Sequence, residues 1–585
     1  MDNNNELRRR KLQEAAGAAE GLLPNGDFTT TQNVGAKTFP YAWTFGVMSS
    51  CLFLTVVLMP LLAFYLPTTP RDDLPWWQKT SIYEIKTREF HDSDGNGVGD
   101  IRGITKSLQH LQWIGVTGIL LNSIFSQAKG SSSGAIDFYA VDSSIGTMAH
   151  FEELIATMQN NGIQVVLDLE INHSHLEHPW FKSSRSGDSK YKDYYVWSDG
   201  KKNSDGKLEP PNNWLSISGG SAWSFDDSRQ QYFLHQFHPS LPDLNFHNPA
   251  VVDEVKNIIR FWLAKGVDGF LISNADYLVA STQVSLNEPR SCNHDALPTD
   301  HDYLLHRLTR QVPLVHNLTN QWREVVDEQH DPESPRYQET KQKKSVLLLI
   351  DSWPAAEGED LEFWNKHNMG KTHLALNYAL AQTIRDKVPC GGSCIESHVA
   401  KVRDLGAVDA LSTWSALQSR RITKDTGDYA DVYNILVLLL PGTPLTQAGQ
   451  ETGKCRQHTY NSIKEAQTCQ LSMNLFKRLH QLRQKPAFLW GRLESAINNE
   501  NIYSFFRHAK GWSYSKYLVT VNVGNEASNN SYVGSNSQFK CPEKGTVVAT
   551  TKLHPARKDE VRPGNKVSLD DFIVYPGEGF VIVLK

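Results

Sequence analysis

The chain has no excess of basic residues: 59 Lys and Arg stand against 64 Asp and Glu, a formal charge of -5. Without a basic footprint, nucleic acid is excluded as a partner. Nor is the chain poor enough in apolar residues to stay disordered, since 40% are hydrophobic and 10% aromatic. At 585 residues it is too long for one core, so several domains are expected. Cysteine is scarce. Cys51 sits in an apolar run, and Cys292, Cys390, Cys394, Cys455, Cys469 and Cys541 follow it. Six is an even number, and the close couples Cys390/Cys394 and Cys455/Cys469 are disulfide candidates if that part of the chain is extracytoplasmic.

Charge is missing altogether from Phe39 to Pro67. The stretch 44–66 (TFGVMSSCLFLTVVLMPLLAFYL) is long enough to cross a bilayer as a helix. It starts too far into the chain, and lacks the small-residue cleavage site, for a removable signal peptide. Arg8, Arg9, Arg10, Lys11 and Lys37 precede it, whereas Arg71, Asp72 and Asp73 follow, so positive charge places the N-terminus in the cytoplasm. The body is then extracellular, in keeping with the cysteines and with the sequons at Asn317 and Asn529. A third sequon, Asn172, lies in an apolar strand context and is expected to be buried. Within the span, Gly46 and Ser50 form a small-xxx-small pair that suits either a close helical neighbour or a plain anchor.

Beyond Trp77, short apolar runs at 117–121, 164–169, 266–272 and 346–350 alternate with amphipathic stretches such as 151–160 and 251–265. Alternating strand and helix at this length predicts a parallel sheet closed into an eight-fold barrel, fold class α/β. The pattern lapses at about 175–241, an insertion containing Trp214 and Trp223, and gives way after 488 to alternating strands that read as a β-sandwich. The boundaries are a cytoplasmic tail 1–40, a transmembrane helix 41–66, a juxtamembrane linker 67–80, barrel segments 81–174 and 242–487 around an inserted subdomain 175–241, and an antiparallel β-sandwich 488–585.

Several words within this frame carry a resemblance: Ile82-Tyr83-Glu84-Ile85, the acidic loop 92–100 (DSDGNGVGD), Leu167-Asp168 with Asn172-His173, Pro242-Asp243-Leu244-Asn245-Phe246, Gly266-Val267-Asp268-Gly269-Phe270 and Leu440-Pro441-Gly442-Thr443-Pro444. In this order and spacing they resemble the α-amylase family of glycoside hydrolases. With the N-terminal span they resemble, within it, the rBAT-like heavy subunits of heteromeric amino-acid transporters (solute carrier family 3). The resemblance implies a TIM barrel, a plasma-membrane location, and association with a multi-span light subunit that carries the transport path.

A retaining glycosidase needs a nucleophilic carboxylate and a carboxylic acid about 5–5.5 Å apart. The family's nucleophile closes a Gly-Phe-Arg-x-Asp word, which here reads Gly269-Phe270-Leu271-Ile272-Ser273. An unactivated serine is a poor replacement. The acid/base glutamate is matched by Asp351, one methylene short, and the third carboxylate by Gln418, so no hydrolysis is expected. Asp168 and His173 are then strand-end packing and hydrogen-bonding groups. The acidic loop resembles the family's calcium loop, with Asp92, Asp94, Asn96, the Val98 carbonyl and Asp100 as oxygen ligands; its bland alternative is a solvated turn. One feature departs from the heavy subunits: 67–75 contains no cysteine to bridge to a light subunit, so the association is expected to be non-covalent. The competing expectations are a membrane-anchored α-glucosidase and an adhesion or receptor scaffold.

Overall fold

The computed structural model describes residues 74–131, 133–328, 345–351, 373–377, 391–404, 413–415, 429–453, 463–511, 513–534, 540–558 and 561–584, with Phe363 and Leu380. All belong to the compact unit Pro67–Lys585; the other unit, Met1–Leu66, carries the expected span with Gly46 and Ser50 and lies outside the described residues. Among the described residues no helix is long and apolar enough to cross a membrane.

Eight strands form a closed barrel: β1 (Ile82–Ile85), β2 (Gly118–Leu121), β3 (Gln164–Leu169), β4 (Gly269–Ile272), β5 (Leu347–Ile350), β6 (Leu374–Asn377), β7 (Thr413–Ser415) and β8 (Thr443–Gln447). Every neighbouring pair is parallel, and β8 returns to β1 through Ile82 opposite Leu445. The strands are near-continuous apolar runs because both faces are covered. Tyr83, Val165, Leu167, Phe270, Ile272, Leu348 and Ile350 pack outward into the main core against the helices. The alternate residues Ile82, Leu120, Val166, Leu271, Leu347, Leu349, Leu374, Leu376 and Leu445 fill the interior as a separate apolar plug.

The helices begin where capping side chains stand. Asp100 accepts from the Gly103 amide at the start of α1 (Ile101–Lys106), Thr147 from His150 at α2 (Met148–Asn160), and Asn248 from Ala250 at α3 (Pro249–Ala264), where Pro249 fills the first turn. The apolar run at 266–272 becomes strand only from Gly269. Gly266, at φ 98°, closes the turn after α3, and the Asp268 carboxylate is held by the Val165 amide and the Gln159 side chain.

In the insertion, a small sheet of Trp197–Ser198, Trp223–Asp226 and Gln231–Leu234 packs on a buried cluster of Trp214, Ala222, Trp223, Tyr232 and Leu234. The Trp214 indole donates to the Leu286 carbonyl at 3.0 Å and that of Trp223 to Asn212 at 2.9 Å. Both rings are thus consumed in packing.

The C-terminal part is a six-stranded antiparallel sheet, β9 (Arg492–Asn498), β10 (Ile502–His508), β11 (Lys516–Asn522), β12 (Lys544–Thr550), β13 (Lys566–Ser568) and β14 (Gly579–Leu584), in the order β9-β10-β11-β14-β12-β13. A two-stranded sheet, Ser528–Asn530 with Phe572–Val574, covers it across a second core that includes Phe506, Leu518, Val574 and Phe580. One buried guanidinium fastens this sheet to the barrel, and a second ties the preceding helix to the turn before β8. Arg507 of β10 donates to the carbonyl of Leu439 (2.8 Å) at the end of α4 (Ala430–Leu439), and to Ala487 (3.1 Å), Phe488 (2.8 Å) and Gly491 (3.2 Å). Arg483, at the end of α5 (Ile463–Arg483), donates to Leu440 at 2.9 Å and to Gly442. Both groups are pushed below the usual arginine range by burial, Arg483 to about 10.

Cys394 is in a disulfide and so is Cys469, whereas Cys292 is an exposed and Cys541 a buried free thiol. The other two candidates, Cys390 and Cys455, lie outside the described residues.

Candidate functional site

The period of two that sorts the barrel strands does not stop at the plug. Two residues above Ile82, Val166, Leu271 and Leu349 come Glu84, Asp168, Ser273 and Asp351, and two above Leu120 comes Asn122. A ring of polar side chains therefore crowns the interior at the C-terminal ends of the strands, the face on which this architecture carries its sites.

The Ser273 hydroxyl donates to the Asp168 carboxylate across the β3–β4 pair, whose register sets Leu271 beside Asp168. Asp168 has its carboxyl raised well above the usual range, first by burial, against the Ser273 hydrogen bond, and further by the charges of Glu170, Asp351 and Glu84. The residue itself is half-buried. Burial also raises Glu84, with the Asn122 side-chain hydrogen bond and the charge of Lys86 opposing.

His173, fully buried, is held below its usual value by burial, so the ring is neutral. Its Nδ1 lies 3.1 Å from Asn172 Oδ1, and the Asn172 amide nitrogen donates to the Tyr277 carbonyl, which fixes the amide oxygen toward the ring. Nδ1 is accordingly the protonated nitrogen and Nε2 carries the lone pair. Nε2 has no hydrogen-bond partner and stands 3.8 Å from Glu170 Oε1. Asn122 Oδ1 is likewise buried and unpartnered.

Of the three positions expected to hold the hydrolytic carboxylates, Ser273 and Asp351 meet at this ring, and Gln418 lies outside the described residues. Sequence reasoning passed over Glu84 and Asn122, although the inward alternation Ile82-x-Glu84 was readable.

The acidic loop lies after β1. Carboxylate oxygens of Asp92, Asp94 and Asp100 all lie within 4.8 Å of one another. Asp92 accepts from the amides of Gly95 and Gly97 at 2.7 Å each, which lowers its pKa, and both glycines adopt positive φ of 81° and 87° to turn those amides inward. Asn96 Oδ1 accepts from the Val98 amide at 2.8 Å. Asp100 divides its oxygens between the amides of Ser93 and Gly103, both at 2.7 Å, and these bonds hold it low against the upward push of burial. Such clustered hard oxygens fit a divalent cation.

Asn317 and Asn529 are exposed, while Asn172 is buried.

The α-amylase catalytic-domain profile matches residues 84–498. The salivary α-glucosidase of Anopheles gambiae is 33% identical over 433 residues, 73% of this chain and 71% of that protein. The human amino acid transporter heavy chain SLC3A1 is 33% identical over 387 residues, 65% of this chain but 54% of that protein. Among solved structures, the trehalulose synthase of Pseudomonas mesoacidophila superposes with a TM-score of 0.70 at 21% identity, covering 88% of this chain and all of that one.

Proposed function

The chain belongs to the α-amylase family, and from that premise we propose that it is an accessory heavy subunit of an amino-acid transporter, with a barrel that no longer hydrolyses glycosides. The observation that carries this reading is Ser273 at the end of β4, where its hydroxyl is spent on Asp168. A hydroxyl whose proton is spent on a carboxyl that burial holds above its usual range is not activated for attack. Of the two described positions expected to hold the hydrolytic pair, only Asp351 carries a carboxyl, and one group cannot serve as both ester-forming group and proton donor. Similarity to the transporter heavy chain supports the partnership; the α-glucosidase matches at the same identity, and Ser273 favours the heavy-subunit reading.

On this reading the span 44–66 anchors the chain once, with its N-terminus in the cytoplasm and the barrel outside the plasma membrane. Asn317 and Asn529, both exposed, carry glycans. Calcium held by Asp92, Asp94, Asn96, the Val98 carbonyl and Asp100 braces the loop ahead of α1 and takes no part in chemistry. The multi-span light subunit is held by helix packing around Gly46 and Ser50 and by the ectodomain surface. It separates from this chain on non-reducing denaturing gels, co-purifies in mild detergent, and loses surface delivery when this chain is absent. A transporter that reaches the surface and works equally well without this chain defeats the proposal in favour of a scaffold.

The membrane-anchored α-glucosidase is the second reading, favoured by the α-glucosidase match across 73% of the chain. Turnover of an aryl α-glucoside by the purified chain, abolished by Asp351→Ala, would establish it.

A further inference from the structure

The three Asn-x-Ser/Thr words of the sequence are treated differently by the fold. Asn529 and Ser531 are both exposed. Asn317 is exposed on the helix Leu314–Asp327, yet Thr319, the hydroxyl residue of its word, is fully buried and donates to the His316 carbonyl at 3.1 Å. Asn172, His173 and Ser174 are each 0% exposed.

Transfer of an N-glycan joins the asparagine amide nitrogen to the anomeric carbon of a lipid-diphosphate-linked oligosaccharide, while one amide proton and the lipid diphosphate leave. In the fold that nitrogen of Asn172 donates to the Tyr277 carbonyl, and Asn172 Oδ1 lies 3.1 Å from the His173 ring. The Leu244 amide donates to the Asn172 carbonyl at 2.9 Å, and the Ser174 hydroxyl stands 2.7 Å from that of Tyr195. A sugar on Asn172 would have to occupy space already filled by these neighbours, and its hydroxyls would lose water without gaining partners. Glycan and closed fold therefore exclude each other at this position.

The covering groups are made late. Tyr195 follows Ser174 by 21 residues, but Tyr277 follows Asn172 by 105, which takes about 5–20 s at synthesis rates of about 5–20 residues per second. β8, whose pairing with β1 closes the barrel, is made later still. A chain entering an extracytoplasmic compartment thus presents the Asn172 word before the groups that cover it exist. Thr319 supplies an internal clock: with its hydroxyl inside, Asn317 can be modified only while its helix is unpacked, so a glycan there records that transfer ran ahead of folding.

We propose that Asn172 is a fold-gated glycosylation site, bare in every chain that folds and modified in chains whose barrel is slow to cover it, so that the glycan makes the failure permanent. The proposal rests on the extracytoplasmic placement of the barrel read above.

The test is expression of the full-length chain in a secretory cell, separation in mild detergent of the monodisperse, trypsin-resistant fraction from the aggregated one, and mass spectrometry of each sequon in both. Asn317 is expected to be occupied in both fractions, and Asn172 at least tenfold more often in the aggregated one. Trp262→Ala, which empties a fully buried core position outside the sequon, is expected to raise Asn172 occupancy of the whole population at least threefold. Ser174→Ala is expected to abolish it and leave Asn317 occupied. If Trp262→Ala yields no folded chain, the two wild-type fractions still decide. Occupied Asn172 in the folded fraction, or bare Asn172 in both fractions beside occupied Asn317, overturns the proposal. Bare asparagines at all three words would instead overturn the extracytoplasmic placement, and the proposal with it.

Discussion

Replacing Ser273 by aspartate puts a carboxylate at the barrel mouth, directly against Asp168. Two ionised carboxylates about 3 Å apart repel by about 5 kcal/mol at an effective dielectric of about 20. Keeping the new group protonated instead costs about 1.4 kcal/mol per pH unit above its ordinary pKa, about 4 kcal/mol at pH 7 and about 1 kcal/mol at pH 5. The cheaper route wins, so the substitution should destabilise by roughly 4 kcal/mol at neutral pH and by little at pH 5. Unfolding entropy of about 2 cal/mol/K per residue, over roughly 500 residues, turns each kcal/mol into about 1 °C, so Tm should fall by about 4 °C at pH 7 and about 1 °C at pH 5. Differential scanning fluorimetry at the two pH values measures this directly. The variant should also remain inactive toward an aryl α-glucoside, because Leu271 and Gln418 are unchanged. A Tm loss independent of pH would mean that Asp168 and residue 273 do not face each other. Turnover would mean that the missing nucleophile was the whole of the defect.

Chelation should lower Tm by about 3 °C if calcium had been present at about a hundred times its dissociation constant, a stabilisation of about 2.7 kcal/mol, and Asp92→Asn should remove the sensitivity. Asp243, buried and receiving hydrogen bonds from the Gln236 amide (3.1 Å) and side chain (2.7 Å), is pushed up to about 8. The folded state therefore binds the extra proton between the unfolded carboxylate range and pH 8, so stability should fall as pH rises through that window, by up to about 5 kcal/mol. Urea midpoints at pH 5 to 8 should slope downward, and Asp243→Asn should flatten the slope. Arg507→Met removes four hydrogen bonds to buried carbonyls but also the burial of an unpaired charge. The net loss should be about 3–5 kcal/mol, read as a lower urea midpoint, and an unchanged midpoint would show the carbonyl cage to be dispensable.

The barrel was legible because a parallel strand covered on both faces must be a short apolar run, as at 164–169 and 346–350. Its boundaries were less so: Gly266 and Asp268 look like strand until the turn that they close is seen. The clustering of the acidic loop was readable since its oxygen-bearing side chains recur at every second position. The ring was readable only in part. Ser273 and Asp351 stood out against a family pattern, whereas the bond from Ser273 to Asp168 joins positions 105 residues apart and depends on register. The unpaired lone pair of His173 depends on how the Asn172 amide is turned, which no sequence pattern records. Arg483 and Arg507 look in sequence like ordinary surface charges, and only the assembled carbonyls reveal why they are inside.

The Arg507 guanidinium has a mechanical meaning. The last strand, β14, lies between β11 and β12, and β10 lies beside β11. Tension entering at the C-terminus therefore runs sideways through the ladders to Arg507, and through its bond to Leu439 into the helix that leads to β8, the strand closing the barrel against β1. The sheet is a handle on the barrel, not a pendant, and a pulled molecule should give way in one rupture spanning both parts. A separate, weaker force peak for the C-terminal sheet would show the two to be mechanically independent.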